Sequence, residues 1–268
     1  MKKVKAIILR TAGTNCDIET AFAFKKVGAE VDLVHINALA SKKNALDKYH
    51  IMAIPGGFTY GDDVASGKIL ANELKFKLQK QISKFVNKGK LIIGICNGFQ
   101  VLVKMGLLPR VKKVNFPIEA TLSLNDSGKF QDRWVYLKNI KEERKKEKCI
   151  WTKDLPDVIY VPIAHAEGKF IPKNDKVLKE LKNNDQIVFR YTDKHGKASG
   201  HPHNPNGSVD DIAGVCDPTG RILGMMPHPE RHITYLQHPN WRRAPREDHM
   251  GIGLKVFENG VKYARNNL

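Results

Sequence analysis

The chain has 268 residues, 41% of them hydrophobic and 27% charged, which is an ordinary soluble composition with room for one large α/β domain or two small ones. No apolar run approaches the length of a membrane helix. The opening Met1-Lys2-Lys3-Val4-Lys5-Ala6-Ile7-Ile8-Leu9 passes straight into Arg10 with no cleavage-site pattern, so it reads as the first strand of a cytoplasmic protein. The formal charge is +17, but the lysines are spread through the chain and the densest cluster, residues 141–148, is mixed in sign; this favours a solvated surface or an acidic protein partner over nucleic acid.

In chain order, residues 5–10 read as a strand, and Gly13-Thr14-Asn15 turns the chain. Asn15 or Asp17 is placed to cap a helix that carries Ala21, Phe22, Phe24 and Val27 and closes at Gly28. Residues 30–36 and 51–54 form the next strands, the latter ending at Pro55-Gly56-Gly57. From Glu73, the apolar residues Leu74, Leu78, Ile82, Phe85 and Val86 fall at helical spacing on one amphipathic helix that Gly89 ends, and residues 91–95 return as a strand. This alternation predicts an α/β fold with a mostly parallel central sheet and helices on both faces. The second half supplies strands near 134–137, 158–163, 186–191, 212–216 and 221–226, joined by Gly, Asn and Pro turns, and reads as a small antiparallel extension. Ile252, Val256, Phe257, Val261 and Ala264 mark a closing amphipathic helix. We expect a single domain over 1–268, with a charged insertion near 139–157 and an extended tail near 236–268.

The segment Leu91-Ile92-Ile93-Gly94-Ile95-Cys96-Asn97-Gly98-Phe99-Gln100 carries the chemistry. An apolar run ending at a cysteine, with glycine two residues before and two after, spells a nucleophile elbow in which small residues let strand and helix backbones approach. The turn sets the sulfur at the positive end of a helix, where negative charge is favoured. The bland alternative is a buried structural cysteine. Cys16, Cys149 and Cys216 show no zinc or redox spacing, so reduced thiols are expected.

A cysteine nucleophile needs a base and a group to orient it. In Met225-Met226-Pro227-His228-Pro229-Glu230-Arg231, each residue before a proline is pushed to extended conformations, and positions two apart in an extended segment face one way. His228 and Glu230 are therefore the candidate base and orienter. The Asn97 N–H, at the helix start, and the Pro55-Gly56-Gly57 turn are candidate oxyanion donors. Both belong at the carboxyl ends of the strands, where ligands bind in such sheets. His201-Pro202-His203 and residues 228–232 complete no recognised metal spacing, and no Gly-Lys-Ser/Thr follows Gly56, Gly57 and Gly61, so neither a metal nor an ATP site is expected in this chain.

These residues resemble those of the class I (triad) glutamine amidotransferases, through Gly94-Ile95-Cys96-Asn97-Gly98-Phe99-Gln100 together with Pro227-His228-Pro229-Glu230. Within that family the nearest likeness is to glutaminase subunits of phosphoribosylformylglycinamidine synthases. It is carried also by Gly13-Thr14-Asn15-Cys16-Asp17, Pro55-Gly56-Gly57-Phe58-Thr59-Tyr60-Gly61-Asp62-Asp63, Ile163-Ala164-His165-Ala166-Glu167-Gly168 and Asn204-Pro205-Asn206-Gly207-Ser208. The resemblance implies a flavodoxin-like fold and a triad of Cys96, His228 and Glu230, with oxyanion N–H groups from Gly57 and Asn97. It also implies a glutamine pocket lined by Gln100 and bordered by His165, Glu167 and Gly168. It implies further that ammonia passes to a large synthetase subunit that holds ATP and Mg, with a small bridging subunit in the complex, in purine biosynthesis. Two departures stand out: Thr11-Ala12-Gly13 replaces the Pro-Gly turn of the family, and the segments around 141–148 and beyond 236 are longer. A glutaminase feeding another synthetase, and a non-catalytic basic binding protein on the same sheet, are the competing readings.

Overall fold

The computed structural model describes residues 2–42, 44–109, 117–140, 148–198, 200–243 and 250–268. Its first half runs β1 (Val4–Arg10), α1 (Asp17–Lys26), β2 (Ala29–His35), α2 (Ile36–Ala40), β3 (Ile51–Ile54), α3 (Lys68–Lys77), α4 (Gln79–Asn87), β4 (Leu91–Ile95) and α5 (Asn97–Lys104). The second half adds β5 (Ala120–Ser123), β6 (Gln131–Asn139), β7 (Val158–His165), β8 (Lys169–Pro172), α6 (Asp175–Asn183), β9 (Ile187–Thr192), β10 (Ile212–Cys216), β11 (Ile222–Met225) and α7 (Leu254–Asn267).

Nine strands form one mixed sheet in the order β2-β1-β3-β4-β11-β10-β9-β6-β7, and β5 pairs with β8 apart from it. β2, β1, β3, β4 and β11 are parallel neighbours; from β11 outward every pairing is antiparallel, so β10 and β6 alone run against the other seven. The expected parallel sheet with an antiparallel extension is therefore met, and the extension continues the same sheet. β3, β4, β10 and β11 are buried at every residue, as strands covered on both faces must be. α1 and α7 pack on each other, and α7 lies against β1 and β3; α5 packs on α3 and over β3, β4 and β11.

Three local expectations are corrected. The helix through Leu78 is two helices, because Leu78 leaves helical geometry at φ −123° and separates α3 from α4. Neither Asn15 nor Asp17 caps α1: the cap position is Cys16, and Asp17 is buried against Arg10 at 2.5 Å. The segment near 139–157 is only partly a charged appendage. Residues 141–147 lie outside the described residues, but Trp151 is fully buried against α7, where Asn259 Nδ2 donates to its carbonyl oxygen at 3.0 Å. In the tail, residues 244–249 likewise lie outside the described residues. No described helix is long and apolar enough to cross a membrane.

The topology brings one edge of the sheet into use. β1, β3, β4, β11 and β7 all end at the same side, so the turns after them converge. β7, although an edge strand, curls back to β11: the Pro162 carbonyl accepts from His228 N at 2.8 Å.

Candidate active site

β4 ends at Ile95, and α5 begins at Asn97. Between them Cys96 takes φ 50° and ψ −108°, a left-handed geometry that a non-glycine residue holds only when its surroundings enforce it, at a cost of about 1–3 kcal/mol. The enforcement is visible. Cys96 N donates to Met225 O at 2.8 Å, and the Cys96 carbonyl starts α5 by accepting from Phe99 N and Gln100 N. The flanking glycines act as the sequence predicted. A Cβ on Gly94 would lie 2.6 Å from the Gly98 carbonyl oxygen, and one on Gly98 would lie 1.8 Å from the Ile54 carbonyl oxygen. The Cys96 thiol, 5% exposed, points toward the Ala164 carbonyl on β7 at 3.6 Å.

β11 delivers the histidine. Met225 pairs with Ile95 beside the elbow, and after Pro227 the chain reaches His228, whose Nδ1 lies 2.6 Å from Glu230 Oε1. Both side chains are buried. The pair forms differently from the extended segment the sequence suggested. Pro229–Arg231 is a 3-10 turn, which folds Glu230 back under the imidazole. With Nδ1 engaged by Glu230, Nε2 is buried without a hydrogen-bond partner. Burial opposes a charge on His228, but the Glu230 carboxylate, then Cys96 and Cys16, outweigh it and hold its pKa well above the ordinary value.

The third part is the turn after β3. Gly57, at φ +147°, bridges to Thr14 in the turn after β1, and a Cβ there would strike the Gly13 carbonyl at 2.6 Å. Only glycine lets these two turns interlock. The Asn97 side chain ties this loop to the elbow: its Oδ1 accepts from Thr59 Oγ1 at 2.7 Å, and its Nδ2 donates to Asp62 at 3.1 Å and to Gln100 Oε1 at 2.9 Å.

A cavity of about 250 Å³ opens at this point, lined by Asn15, Cys16, Gly57, Phe58, Cys96, Phe130, Asp132, Ala164, His228 and Arg231. Larger depressions, of about 1070 Å³ beside α7 and about 700 Å³ beside β2, contain none of the candidate catalytic groups. Of the residues singled out from sequence, Gly57, Cys96 and His228 face the cavity and Glu230 lies beneath His228. Asn97, Gln100, His165, Glu167 and Gly168 do not line it and form its support. Gln100 Nε2 donates to Glu167 O at 2.6 Å, and the Glu167 carboxylate accepts from Ser66 N and lies 3.7 Å from Lys104 Nζ. Asn125 Oδ1 is shared by His165 Nδ1 and Gly168 N, both at 3.1 Å. Burial, then the nearby His228, pushes His165 down to about 3, so it stays neutral.

The sequence reading did not single out Cys16, Asp132 or Arg231. Arg231 Nη2 lies 3.1 Å from Cys16 Sγ and its Nε 3.0 Å from Glu19 Oε1; Cys16 Sγ is 4.0 Å from His228 Nδ1. Burial raises the Cys16 thiol, and the His228 bond offsets this in part. A signal existed, since Cys16 follows the first strand at the edge of the sheet where ligands bind. Nothing in the sequence aligned β6 so as to bring Asp132 opposite Ala164. Cys16, His228 and Glu230 also place possible metal-ligand atoms within 4.8 Å of one another. However, the 2.6 Å His228–Glu230 contact leaves no space for an ion between them, and the Arg231 guanidinium already covers the sulfur. This arrangement suits a thiol, an imidazole and an orienting carboxylate, the set for acyl transfer through a covalent intermediate.

Known proteins share this design. A family described as the CobB/CobQ-like glutamine amidotransferase domain matches residues 3–264. A protein of Dehalococcoides mccartyi, called phosphoribosylformylglycinamidine synthase subunit PurQ, is 48% identical over 99% of both chains. One of Archaeoglobus fulgidus with the same name is 40% identical over 98% of this chain and 97% of its own. Among solved structures, a chain of PurLQS from Thermotoga maritima superposes with a TM-score of 0.72 at 31% identity, covering 98% of this chain and 99% of its own. A glutamine amidotransferase from Thermotoga maritima, at TM-score 0.56 and 15% identity over the whole of both chains, shares the fold.

Proposed function

This chain belongs to the CobB/CobQ-like glutamine amidotransferase family, and we propose that it is the glutaminase subunit of a phosphoribosylformylglycinamidine synthase. It releases ammonia from glutamine for the conversion of formylglycinamide ribonucleotide to its amidine in purine biosynthesis. Its partners are a large synthetase subunit, which uses ATP with Mg, and a small subunit, matching the L and S components of the related assembly. We infer one amidotransferase domain over the chain and a cytoplasmic setting, in keeping with four free cysteines.

The observation that carries the reaction is the strained Cys96 beside a buried His228–Glu230 pair at one end of the sheet. Cys96 Sγ attacks the side-chain amide carbon of glutamine, and its proton passes to His228. The N–H groups of Gly57 and Asn97 hold the developing oxyanion. As the C–N bond breaks, His228 gives its proton to the departing ammonia, which leaves a γ-glutamyl thioester on Cys96. A water then attacks the thioester, His228 takes its proton, and the thiolate leaves as glutamate is released. Glu230 keeps the ring oriented through Nδ1 and stabilises the imidazolium, consistent with the raised pKa of His228. Gln100, His165, Glu167 and Gly168 hold the pocket wall in place.

The test is ammonia release from glutamine by the chain assembled with its synthetase subunits. We expect Cys96→Ala to abolish release. Equal release by wild type and Cys96→Ala would overturn the assignment.

A further inference from the structure

We propose that Lys104, Asp62 and Glu167 form a charge clasp that holds the loop after the Gly57 turn against the nucleophile helix and so sets the distance between the two oxyanion N–H groups. The proposal rests on the glutaminase reading and adds to it three positioning residues, none of which lines the catalytic cavity.

The loop of residues 58–67 needs holding. Tyr60, Asp62 and Val64 all take left-handed backbone geometry, at φ 56°, 57° and 70°. Non-glycine residues keep such geometry only where their surroundings outweigh its cost. Val64 is fully exposed to water, so the hold comes from the other residues of the loop. On the β1 side, Phe58 N donates to Gly13 O at 2.8 Å and Tyr60 N to Ala12 O at 2.9 Å. On the α5 side the ties run through side chains. Asn97 bonds Thr59 Oγ1 at 2.7 Å and Asp62 Oδ1 at 3.1 Å, and Ser66 N donates to both carboxylate oxygens of Glu167, at 3.2 and 3.3 Å.

Two of these ties end on carboxylates, and one cation serves both. Lys104 ends α5, with its side chain 11% exposed and its Nζ 3.7 Å from Glu167 Oε2 and 3.5 Å from the Leu122 carbonyl oxygen. Burial lowers the Lys104 pKa and Lys68, at the start of α3, adds to this, while Glu167 and then Asp62 oppose it. Burial raises Asp62; Ser66 offsets this, Glu167 adds to it, and Lys104 offsets it again. Removing the cation leaves two carboxylates repelling each other in a site largely shut from water, and breaking a buried charge set is more disruptive than replacing all of it. The loop then moves off α5 and carries Thr59 and Gly57 with it, while Cys96, His228 and Glu230 stay in place. A widened oxyanion site binds the ground-state amide as before but stabilises the transition state less.

The test measures kcat and KM for glutamine on the assembled complex, beside alkylation of Cys96 by iodoacetamide. The variants are Lys104→Met, Lys104→Arg and the double variant Lys104→Met with Asp62→Asn. Lys104→Met should lower kcat about tenfold or more, with KM within about threefold of wild type and Cys96 still alkylated. Lys104→Arg keeps the charge and should recover most of the loss. Asp62→Asn keeps an oxygen for Asn97 and removes the repulsion, so the double variant should turn over about fivefold faster than Lys104→Met alone. A purely structural loss would not be recovered by removing a second partner. A Lys104→Met kcat within about twofold of wild type would overturn the clasp. So would a loss confined to KM, an equal loss in Lys104→Arg, or a double variant no faster than Lys104→Met. If Lys104→Met does not fold, Asp62→Ala cuts the clasp from the loop side: a lower kcat with KM kept supports it, and an unchanged kcat overturns it. A wild type that releases no ammonia from glutamine would overturn the glutaminase reading, and the role of the clasp with it.

Discussion

Replacing Gly98 with alanine isolates the geometry of the elbow from its chemistry. The added Cβ would lie 1.8 Å from the Ile54 carbonyl oxygen and 2.7 Å from its carbon, both backbone atoms, and real Cβ atoms essentially never come within 3.0 Å. α5 and the end of β3 must therefore part by about 1.2 Å, a displacement that goes directly into the spacing between the Cys96 elbow and the Gly57 turn. Overpacking of this kind costs about 1–3 kcal/mol, which a domain stable by about 5–15 kcal/mol survives. A misplacement near 1 Å at the reacting centre costs about 100-fold in rate. The assay is ammonia release from glutamine, run beside urea unfolding and alkylation of Cys96 by iodoacetamide. We expect a folded protein with an alkylatable Cys96 and kcat down by about 100-fold or more. Gly128→Ala serves as control, because nothing lies within 4 Å of its Cβ and only its positive φ resists the change. Gly98→Ala activity within about threefold of wild type would refute the claim that this close approach sets the catalytic spacing.

Two further outcomes follow from the buried histidines. His165 is held down to about 3 by burial, so in acid the unfolded chain takes up a proton that the folded one refuses. Its contribution is whole above the unfolded value near 6.5 and is lost as pH falls toward about 3, by roughly 2 kcal/mol at pH 5. Urea unfolding from pH 7.5 to 4 should show this slope in wild type and a shallower one in His165→Gln; superposable slopes would exclude His165 as the source. His228 is raised because the Glu230 carboxylate outweighs burial, so Glu230→Gln should move the acid limb of the kcat/KM profile, where His228 must be free of its proton to act as base, to lower pH, with kcat itself falling about 100-fold or more. An unmoved acid limb would mean that the His228 proton is not what that limb reports.

The elbow was legible because its causes are local. Gly94, Cys96 and Gly98 sit at fixed offsets on one strand–turn–helix unit, and an apolar run such as 91–95 has few ways to be buried. The same holds for the parallel strands of the first half, whose alternation with helices leaves little choice of topology. His228 and Glu230 were legible as a pair, although a 3-10 turn and not an extended segment brings them together. The break at Leu78 was not, since the apolar spacing runs on through it. The small β5–β8 sheet was missed as well, because each strand is four residues long and gains stability only from a partner distant in sequence.

By itself, the sequence determined the candidate nucleophile, base and orienter, and the strand-and-helix alternation that carries them, because each depends on residues a few positions apart. Only the tertiary structure decided which side chains share the cavity. Arg231, Glu19 and Cys16 meet across more than two hundred residues, and Asp132 reaches the nucleophile's neighbour through a strand register. Register and the return of β7 to β11 come from burying both faces of the sheet together, and that energy is shared over the whole core. The reacting groups are thus written locally, whereas the shape and charge of the pocket around them are set by the global packing of the fold.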